Sequence, residues 1–201
     1  MIYIFDFDGT VADTFNISYE IGRRVFKEYT GMDITPKELN RFKSMDLEQL
    51  KEFLRENNIG IFKLYLMVRK SKREMYKRAR DIRIFKGMKE LIDDLRKTGR
   101  VYIFSSNSKK LIKRVLENNG VIVDKIITTR NVFNKYKKLS RIAKKNKEIV
   151  YIGDDERDYK AAVQAGIKFI AVSWGFQDMK KFKDVTIARN IGELRKLLQN
   201  I

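Results

Sequence analysis

The chain opens with the sequence MIYIFDFDGT, residues 1–10, in which an apolar run ends at two acidic residues separated by one residue. Ile2–Phe5 has the length and composition of a strand buried on both faces, as in parallel sheets covered by helices. Asp6 and Asp8 follow directly, and open parallel sheets bind ligands beyond the carboxyl ends of their strands. These residues therefore predict a buried strand that delivers two carboxylates to a ligand site.

Four further apolar runs rich in β-branched residues are also predicted to be buried strands. They are residues 101–104, 125–128, 149–152 and 169–172. Helical patterns closed by glycine lie between the later runs. These patterns span 88–98 before Gly99, 109–119 before Gly120, and 158–165 before Gly166. The alternation predicts an α/β fold with a doubly wound, Rossmann-like parallel sheet.

Residues 15–83 interrupt the alternation, because they show helical periodicity and no convincing strand. Within them, Thr35-Pro36-Lys37-Glu38 combines a capping box with proline at the first helical position. We therefore predict an α/β core domain of residues 1–14 and 84–201, with a small all-helical domain inserted at 15–83.

A long helical pattern at residues 61–80 combines many basic residues with an apolar set that is predicted to pack. The apolar set is Phe62, Tyr65, Leu66, Met75, Tyr76 and Ala79. The whole chain carries a formal charge of +18, which would attract anionic metabolites or nucleic acid. Scattered lysine doublets favour a solvated surface, so a nucleic-acid partner is kept open but not favoured.

The 201 residues include no cysteine and no histidine. Disulfides, zinc-thiolate sites, cysteine nucleophiles, Ser-His-Asp triads and phosphohistidine intermediates are thereby excluded. An enzyme of this composition must use Asp, Glu, Lys or Tyr.

No apolar run is long enough to cross a bilayer, and the first strand leaves no room for a signal peptide. We therefore expect a cytoplasmic protein without a membrane partner.

Asp6 and Asp8 lie two positions apart, so in an extended chain both could face one phosphoryl group. One carboxylate could attack phosphorus to form an aspartyl-phosphate, while the other exchanges protons with the leaving oxygen and with water. Gly9 would permit a tight turn and a close backbone approach. An Asp-x-Asp pair is weak by itself, because acidic residues after a strand often only cap the next helix.

A second acidic cluster strengthens this hypothesis. Gly153-Asp154-Asp155-Glu156-Arg157-Asp158 also follows an apolar strand and opens a helix. Oxygen ligands from two strand ends suit Mg²⁺, which shares its coordination shell with substrate phosphate. For Asp155 and Glu156 we expect only a role at the helix N-terminus.

Polar residues at two further places could bind a phosphoryl group. Ser105-Ser106-Asn107-Ser108 follows a strand and precedes a helix. Ser106 is the better phosphate ligand there, and Ser108 or Asn107 could cap the helix. A lysine from Asn134-Lys135-Tyr136-Lys137-Lys138 could neutralise the nucleophile and the phosphoryl oxygens, but the pattern alone does not choose among the lysines.

Together these residues resemble the haloacid dehalogenase superfamily over essentially the whole chain. Residues 6–14 resemble its first motif, Ser106-Asn107 the second, Lys135 the third, and residues 153–158 the fourth. The insertion at 15–83 resembles the small helical C1 cap of phosphoglycolate phosphatase-like members. Residues 173–176, Ser-Trp-Gly-Phe, are similar to a segment after their fifth strand.

The resemblance implies a role for each matching residue. Asp6 would be the nucleophile, Asp8 the general acid/base, and Lys135 a catalytic cation. Mg²⁺ would be held by Asp6, Asp154 and the backbone carbonyl of Asp8, with Asp158 in support. Gly9, Thr10, Ser106 and Asn107 would bind the substrate. Arg41 and Lys43 are candidates for substrate contacts from the cap, although surface charge is the better explanation for both.

The function that these residues favour is a Mg²⁺-dependent phosphatase, acting as a monomer or homodimer on small phosphorylated metabolites. A phosphomutase of the β-phosphoglucomutase type shares the core machinery and stays open, as does a basic nucleic-acid-directed phosphatase or binding protein. A phosphoacceptor receiver domain is also doubly wound. However, such domains place adjacent acids after the first strand and the acceptor aspartate after the third, whereas this chain has Thr128-Thr129-Arg130 near the third.

Overall fold

The structure is a computed structural model of the chain. It describes residues 1–38, 45, 47–129, 135–146, 148–176, 182 and 185–201. The predicted substrate contacts Arg41 and Lys43 lie outside these residues.

A six-stranded parallel sheet forms the centre of the fold and confirms the predicted α/β class. Its strands run in the order β5-β4-β1-β6-β7-β8. They are β1 (Ile2–Phe5), β4 (Arg100–Ser105), β5 (Lys125–Thr128), β6 (Ile149–Gly153), β7 (Lys168–Val172) and β8 (Thr186–Ala188). The sheet contains all five predicted strands. It also contains β8, whose three residues are too few for a clear apolar pattern.

The helices of the α/β unit are α4 (Met88–Thr98), α5 (Lys109–Asn118), α6 (Lys135–Ala143), α7 (Glu156–Gln164) and α8 (Ile191–Gln199). Three of them, α4, α5 and α7, correspond to the three glycine-terminated patterns of the sequence; α6 and α8 were not predicted. Helix α4 has the predicted bounds, and α7 begins two residues earlier than predicted because Asp155 caps it. Each helix buries an apolar face, as the residues of α4 and α5 show. Strands covered by such helices are apolar along their whole length, which explains the continuous apolar runs in the sequence.

The order of the strands determines where a ligand site can form. From β1 the chain proceeds to β4 and β5 on one side and then crosses to β6 on the other side. Phe5 pairs with Ile103 of β4 and with Ile152 of β6. The direction of winding therefore reverses between β1 and β6, and the crevice beyond their carboxyl ends is the expected binding position in such sheets.

Contacts between Cα atoms divide the chain into two compact units. One consists of Met1–Thr14 and Arg80–Ile201, and the other of Phe15–Ala79. In the first unit, β2 (Ala12–Asp13) pairs antiparallel with β3 (Arg83–Ile84), so the outgoing and returning chain segments are joined. These two strands were not predicted, because a strand of two residues shows no periodicity.

The second unit contains α1 (Phe15–Thr30), α2 (Leu47–Glu56) and α3 (Ile61–Lys77). The predicted capping box is confirmed: Glu38 N donates to Thr35 Oγ1 at 3.3 Å, and Thr35 N donates to Glu38 Oε2 at 2.8 Å. In α3, the predicted packing of Phe62 and Tyr65 is wrong, because these side chains are 74% and 57% exposed.

Among the described residues, no helix has both the length and the apolarity to span a membrane.

Asp124 fixes the register of edge strand β5 against β4. Its backbone N donates to Val101 O at 2.9 Å, and its carboxylate Oδ2 accepts a hydrogen bond from Val101 N at 2.8 Å. Replacing Asp124 by alanine leaves the Val101 N–H without this acceptor. We expect Asp124→Ala to lower the free energy of unfolding by about 1–3 kcal/mol.

Asp124→Asn is the matched control, because its amide oxygen can still accept from Val101. It should lose less stability than the alanine variant when both are unfolded in urea. Equal losses for the two variants would contradict a structural role for this hydrogen bond.

Candidate active site

Asp6 lies immediately after β1, at the point where the winding of the sheet reverses. Its backbone N donates to Ile152 O at 2.8 Å, which ties the residue to β6. The side chain is buried, and its Oδ1 accepts from Lys135 Nζ at 2.9 Å. Burial raises the pKa of Asp6 well above its usual range; Lys135 opposes this shift, and the carboxylates of Asp158, Asp154 and Asp8 add to it.

Asp8 lies in the turn that follows, and polar groups hold both of its carboxylate oxygens. Oδ1 accepts from Thr14 Oγ1 at 2.9 Å, and Oδ2 accepts from Asn107 Nδ2 at 2.7 Å. Ser105 Oγ also lies 3.4 Å from Oδ2. The structure thus places two predicted site residues, Asp8 and Asn107, in direct contact.

Gly9 and Thr10 continue the turn toward Asp154. Gly9 has a φ of 76°, in the left-handed region that favours glycine. A Cβ atom at this position would also overlap the carboxylate of Asp154. Thr10 is fully buried, and its Oγ1 donates to Asp154 Oδ1 at 3.4 Å. The predicted first and fourth motifs therefore meet at these residues.

Lys135 is the first described residue of α6 and is buried, with 5% of its surface exposed. Its ammonium group lies between Asp6 Oδ1 and Asp158 Oδ1, at 2.9 and 2.6 Å. Burial alone would lower the pKa of Lys135, but Asp158 and Asp6 outweigh it, so the pKa is raised and the lysine is charged. The structure thus selects this lysine among those that the sequence left open.

Tyr151 is a residue of this site that the sequence analysis missed. It lies in β6, fully buried, and its hydroxyl oxygen is 3.4 Å from Lys135 Nζ. Burial raises the pKa of this phenol well above its usual range, and the negative charge of Asp158 raises it further. Tyr151 therefore stays neutral and helps to surround the ammonium group. A tyrosine inside an apolar strand gives no sequence signal for such a contact.

Asp154 directly follows β6, and Asp6 directly follows the neighbouring strand β1. Its Oδ2 accepts a hydrogen bond from the backbone N of Phe176 at 2.7 Å. Burial raises the pKa of Asp154 to about 7, with the Phe176 N–H acting in the opposite direction. A neighbouring carboxyl whose charged form is disfavoured by burial is the kind of group that a cation would stabilise.

Asp158 lies in the first turn of α7, where it pairs with Lys135. Burial raises the pKa of Asp158, although Lys135 lowers it. Its second oxygen, Oδ2, is buried without a hydrogen-bond partner among the residues that the structure describes. The preceding Asp155 caps α7 by accepting from Arg157 N at 2.8 Å, as expected for an acid at a helix N-terminus.

The residues at the end of β4 and the start of α5 include one of the predicted helix caps. Ser108 caps α5 by accepting from Leu111 N at 3.2 Å, which confirms one of the two predicted caps. Ser105, which was not singled out, accepts from Asn107 N at 3.0 Å and lies beside Asp8. Ser106 between them is half-buried. Its proposed role as a phosphate ligand stays a prediction.

The charges at this site fit a divalent cation. Asp6, Asp154 and Asp158 are three buried carboxyl groups, and the buried ammonium of Lys135 contacts two of them, Asp6 and Asp158. No group of three His, Cys, Asp or Glu side chains in the described part of the chain is arranged as a metal site. The ligand set implied by the sequence resemblance needs only two side chains, Asp6 and Asp154, because its third ligand is a backbone carbonyl. Neighbouring strands lie about 4.8 Å apart, which keeps these two residues close.

Comparisons with known proteins identify the family of the chain. A model of the haloacid dehalogenase-like hydrolase family matches residues 3–172. A phosphoglycolate phosphatase of Synechococcus elongatus is 25% identical over 182 residues, covering 87% of this chain and 84% of the relative.

Solved structures of similar fold include a haloacid dehalogenase-like family hydrolase from Streptococcus pneumoniae and a predicted phosphatase from Clostridium acetobutylicum. Their TM-scores are 0.77 and 0.81, at 18% and 17% identity, and each comparison covers 100% of this chain and 98% of the other. At such identities the structures support the fold, and the family follows from the match over residues 3–172. The chain belongs to the haloacid dehalogenase-like hydrolases.

Proposed function

We propose that this hydrolase is a Mg²⁺-dependent phosphatase that acts on small phosphomonoesters through an aspartyl-phosphate on Asp6. One observation carries the proposal. The buried Asp6 carboxylate lies at the winding reversal of the sheet, 2.9 Å from the ammonium of Lys135 and on the same turn as Asp8. The family membership and the Synechococcus relative support phosphoric monoester hydrolysis as the reaction class.

The first chemical step forms the enzyme-bound intermediate. A side-chain oxygen of Asp6 attacks phosphorus, the bond between phosphorus and the ester oxygen breaks, and the leaving oxygen takes a proton from Asp8. Thr14 and Asn107 fix the Asp8 carboxyl for this transfer, because each holds one of its oxygens. Lys135 offsets the charge of the nucleophile and of the phosphoryl oxygens.

The second step restores the enzyme. Asp8, now ionised, accepts a proton from a water molecule whose oxygen attacks phosphorus. The bond between Asp6 and phosphorus breaks, and inorganic phosphate leaves with the Asp6 carboxylate regenerated. Backbone and side-chain groups of Gly9, Thr10, Ser106 and Asn107 are the proposed ligands of the phosphoryl group throughout.

A divalent cation has a specific role in this proposal. Burial disfavours the charged form of Asp6, whereas a nucleophilic carboxylate must be ionised. Lys135 offsets only part of this penalty, since it also pairs with Asp158. Mg²⁺ held by Asp6, Asp154 and the Asp8 carbonyl would supply the remaining positive charge and neutralise phosphoryl oxygens.

Substrate selection is proposed for the helical unit Phe15–Ala79, by analogy with the caps that the sequence resembles. Phosphoglycolate is the first substrate to test, because the Synechococcus relative bears that name. A panel should include sugar phosphates and nucleotides, with free phosphate and isomer formation measured separately. Isomer formation without phosphate release would identify a phosphomutase instead.

Asp6→Asn tests the nucleophile. The amide has nearly the same shape but cannot form the aspartyl-phosphate, so we expect kcat to fall at least about a thousandfold. Asp13→Asn is the matched control, since Asp13 is exposed and belongs to the same segment. It should retain nearly the parent rate in the same phosphate-release assay. Near-normal turnover by Asp6→Asn would reject the mechanism.

The raised pKa of Asp154 predicts how Mg²⁺ binding depends on pH. Because that pKa is about 7, a proton occupies the carboxyl at lower pH and competes with the cation. Apparent Mg²⁺ affinity should therefore rise as the pH increases toward 7, by up to about tenfold per pH unit for each proton displaced. Calorimetric titration without substrate would measure this. A constant affinity from pH 5.5 to 8 would contradict the assignment.

A further inference from the structure

The segment that follows β7 contacts the proposed active site at two places. The indole Nε1 of Trp174 donates to the backbone carbonyl of Thr10 at 3.1 Å. Two residues later, the backbone N of Phe176 donates to Asp154 Oδ2 at 2.7 Å. The same short segment therefore holds the turn after the proposed nucleophile and one oxygen of the proposed metal ligand.

Gly175 lies between these two contacts and packs directly against Asp154. A Cβ atom built on Gly175 would overlap the Cβ, Cγ and Oδ2 atoms of Asp154. Gly175 is not among the glycines with positive φ, so the backbone conformation alone does not require glycine. The requirement is the close approach of the main chain to the carboxylate.

A second segment supports the indole. Phe85 packs against Trp174 in an edge-on arrangement, with ring centroids 6.3 Å apart. The backbone N of Phe85 also donates to Val11 O at 3.1 Å, next to the carbonyl that Trp174 binds. The Trp174 hydrogen bond is thus part of a braced contact between the first-motif turn and the segment after β7.

We propose that Trp174, Gly175 and Phe176 form a positioning clamp that fixes the Asp154 carboxylate relative to the Asp6–Thr10 turn and thereby sets the affinity for Mg²⁺. This inference rests on the proposed function. Phe176 N donates to Oδ2, whereas Oδ1 has, among the residues that the structure describes, the longer 3.4 Å contact from Thr10. The clamp therefore orients the carboxyl group while leaving Oδ1 the more available for a cation. Groups that orient ligands in this way commonly change metal affinity by 10- to 100-fold when they are altered.

Gly175→Ala tests the clamp at its tightest point. The added methyl group displaces the Asp154 carboxylate, so we expect Mg²⁺ affinity, measured by calorimetry without substrate, to fall at least about tenfold. KM for the substrate at saturating Mg²⁺ should change much less, because the three atoms nearest to the added methyl group all belong to Asp154 and none to a proposed substrate ligand. Gly60→Ser is the control, because no atom lies within 4 Å of a Cβ at that position; its Mg²⁺ affinity should match the parent.

Replacing Trp174 by the isosteric benzothienylalanine removes the N–H and keeps the ring. This variant should also weaken Mg²⁺ binding, and it carries the test if Gly175→Ala does not fold. Parent-like Mg²⁺ affinity in a folded Gly175→Ala protein, or in the benzothienyl protein, would overturn the clamp. A parent protein that binds no Mg²⁺ and hydrolyses no phosphomonoester would instead overturn the proposed function, so the two failures are distinguishable.

Discussion

The buried ammonium group of Lys135 is the interaction on which the rest of the site depends. It lies 2.9 Å from Asp6 and 2.6 Å from Asp158, and it thereby joins the end of β1 to the starts of α6 and α7. A buried charge is stable only when it is paired, and removing one partner of such a pair typically costs about 3–5 kcal/mol. The same contact therefore holds three elements together and places a positive charge beside the proposed nucleophile.

Lys135 does not neutralise the site by itself. Asp6, Asp154 and Asp158 are all buried, and burial raises the pKa of each carboxyl group. The winding reversal between β1 and β6 brings Asp6 and Asp154 to adjacent strand ends. One cation bound there could offset the negative charge of both carboxylates. The order of the strands thus places the two side chains that are the proposed metal ligands at neighbouring strand ends.

Sequence patterns were sufficient for the sheet, for the bounds of α4 and for Asp6, Asp8 and Asp154 as the candidate residues, because each acid directly follows an apolar strand. They did not find Tyr151 or Ser105, whose contacts depend on which residue from another element lies opposite them. They also did not find Thr14, whose contact with Asp8 depends on how the turn between them folds back. Burial of Phe62 and Tyr65 was wrongly predicted, since helical periodicity identifies an apolar face but not what covers it. Family membership is shown by the match over residues 3–172, whereas the catalytic roles stay proposals.

The central claim is that phosphorus becomes bonded to a side-chain oxygen of Asp6 during turnover. Acid quenching in the first turnover with phosphoglycolate, or with whichever phosphomonoester the panel identifies, followed by peptide mass spectrometry, tests this most directly. The account predicts a phosphoryl group on the peptide that contains Asp6, acid-stable and released by hydroxylamine as expected for an acyl phosphate. A phosphoryl group on any other residue would contradict it.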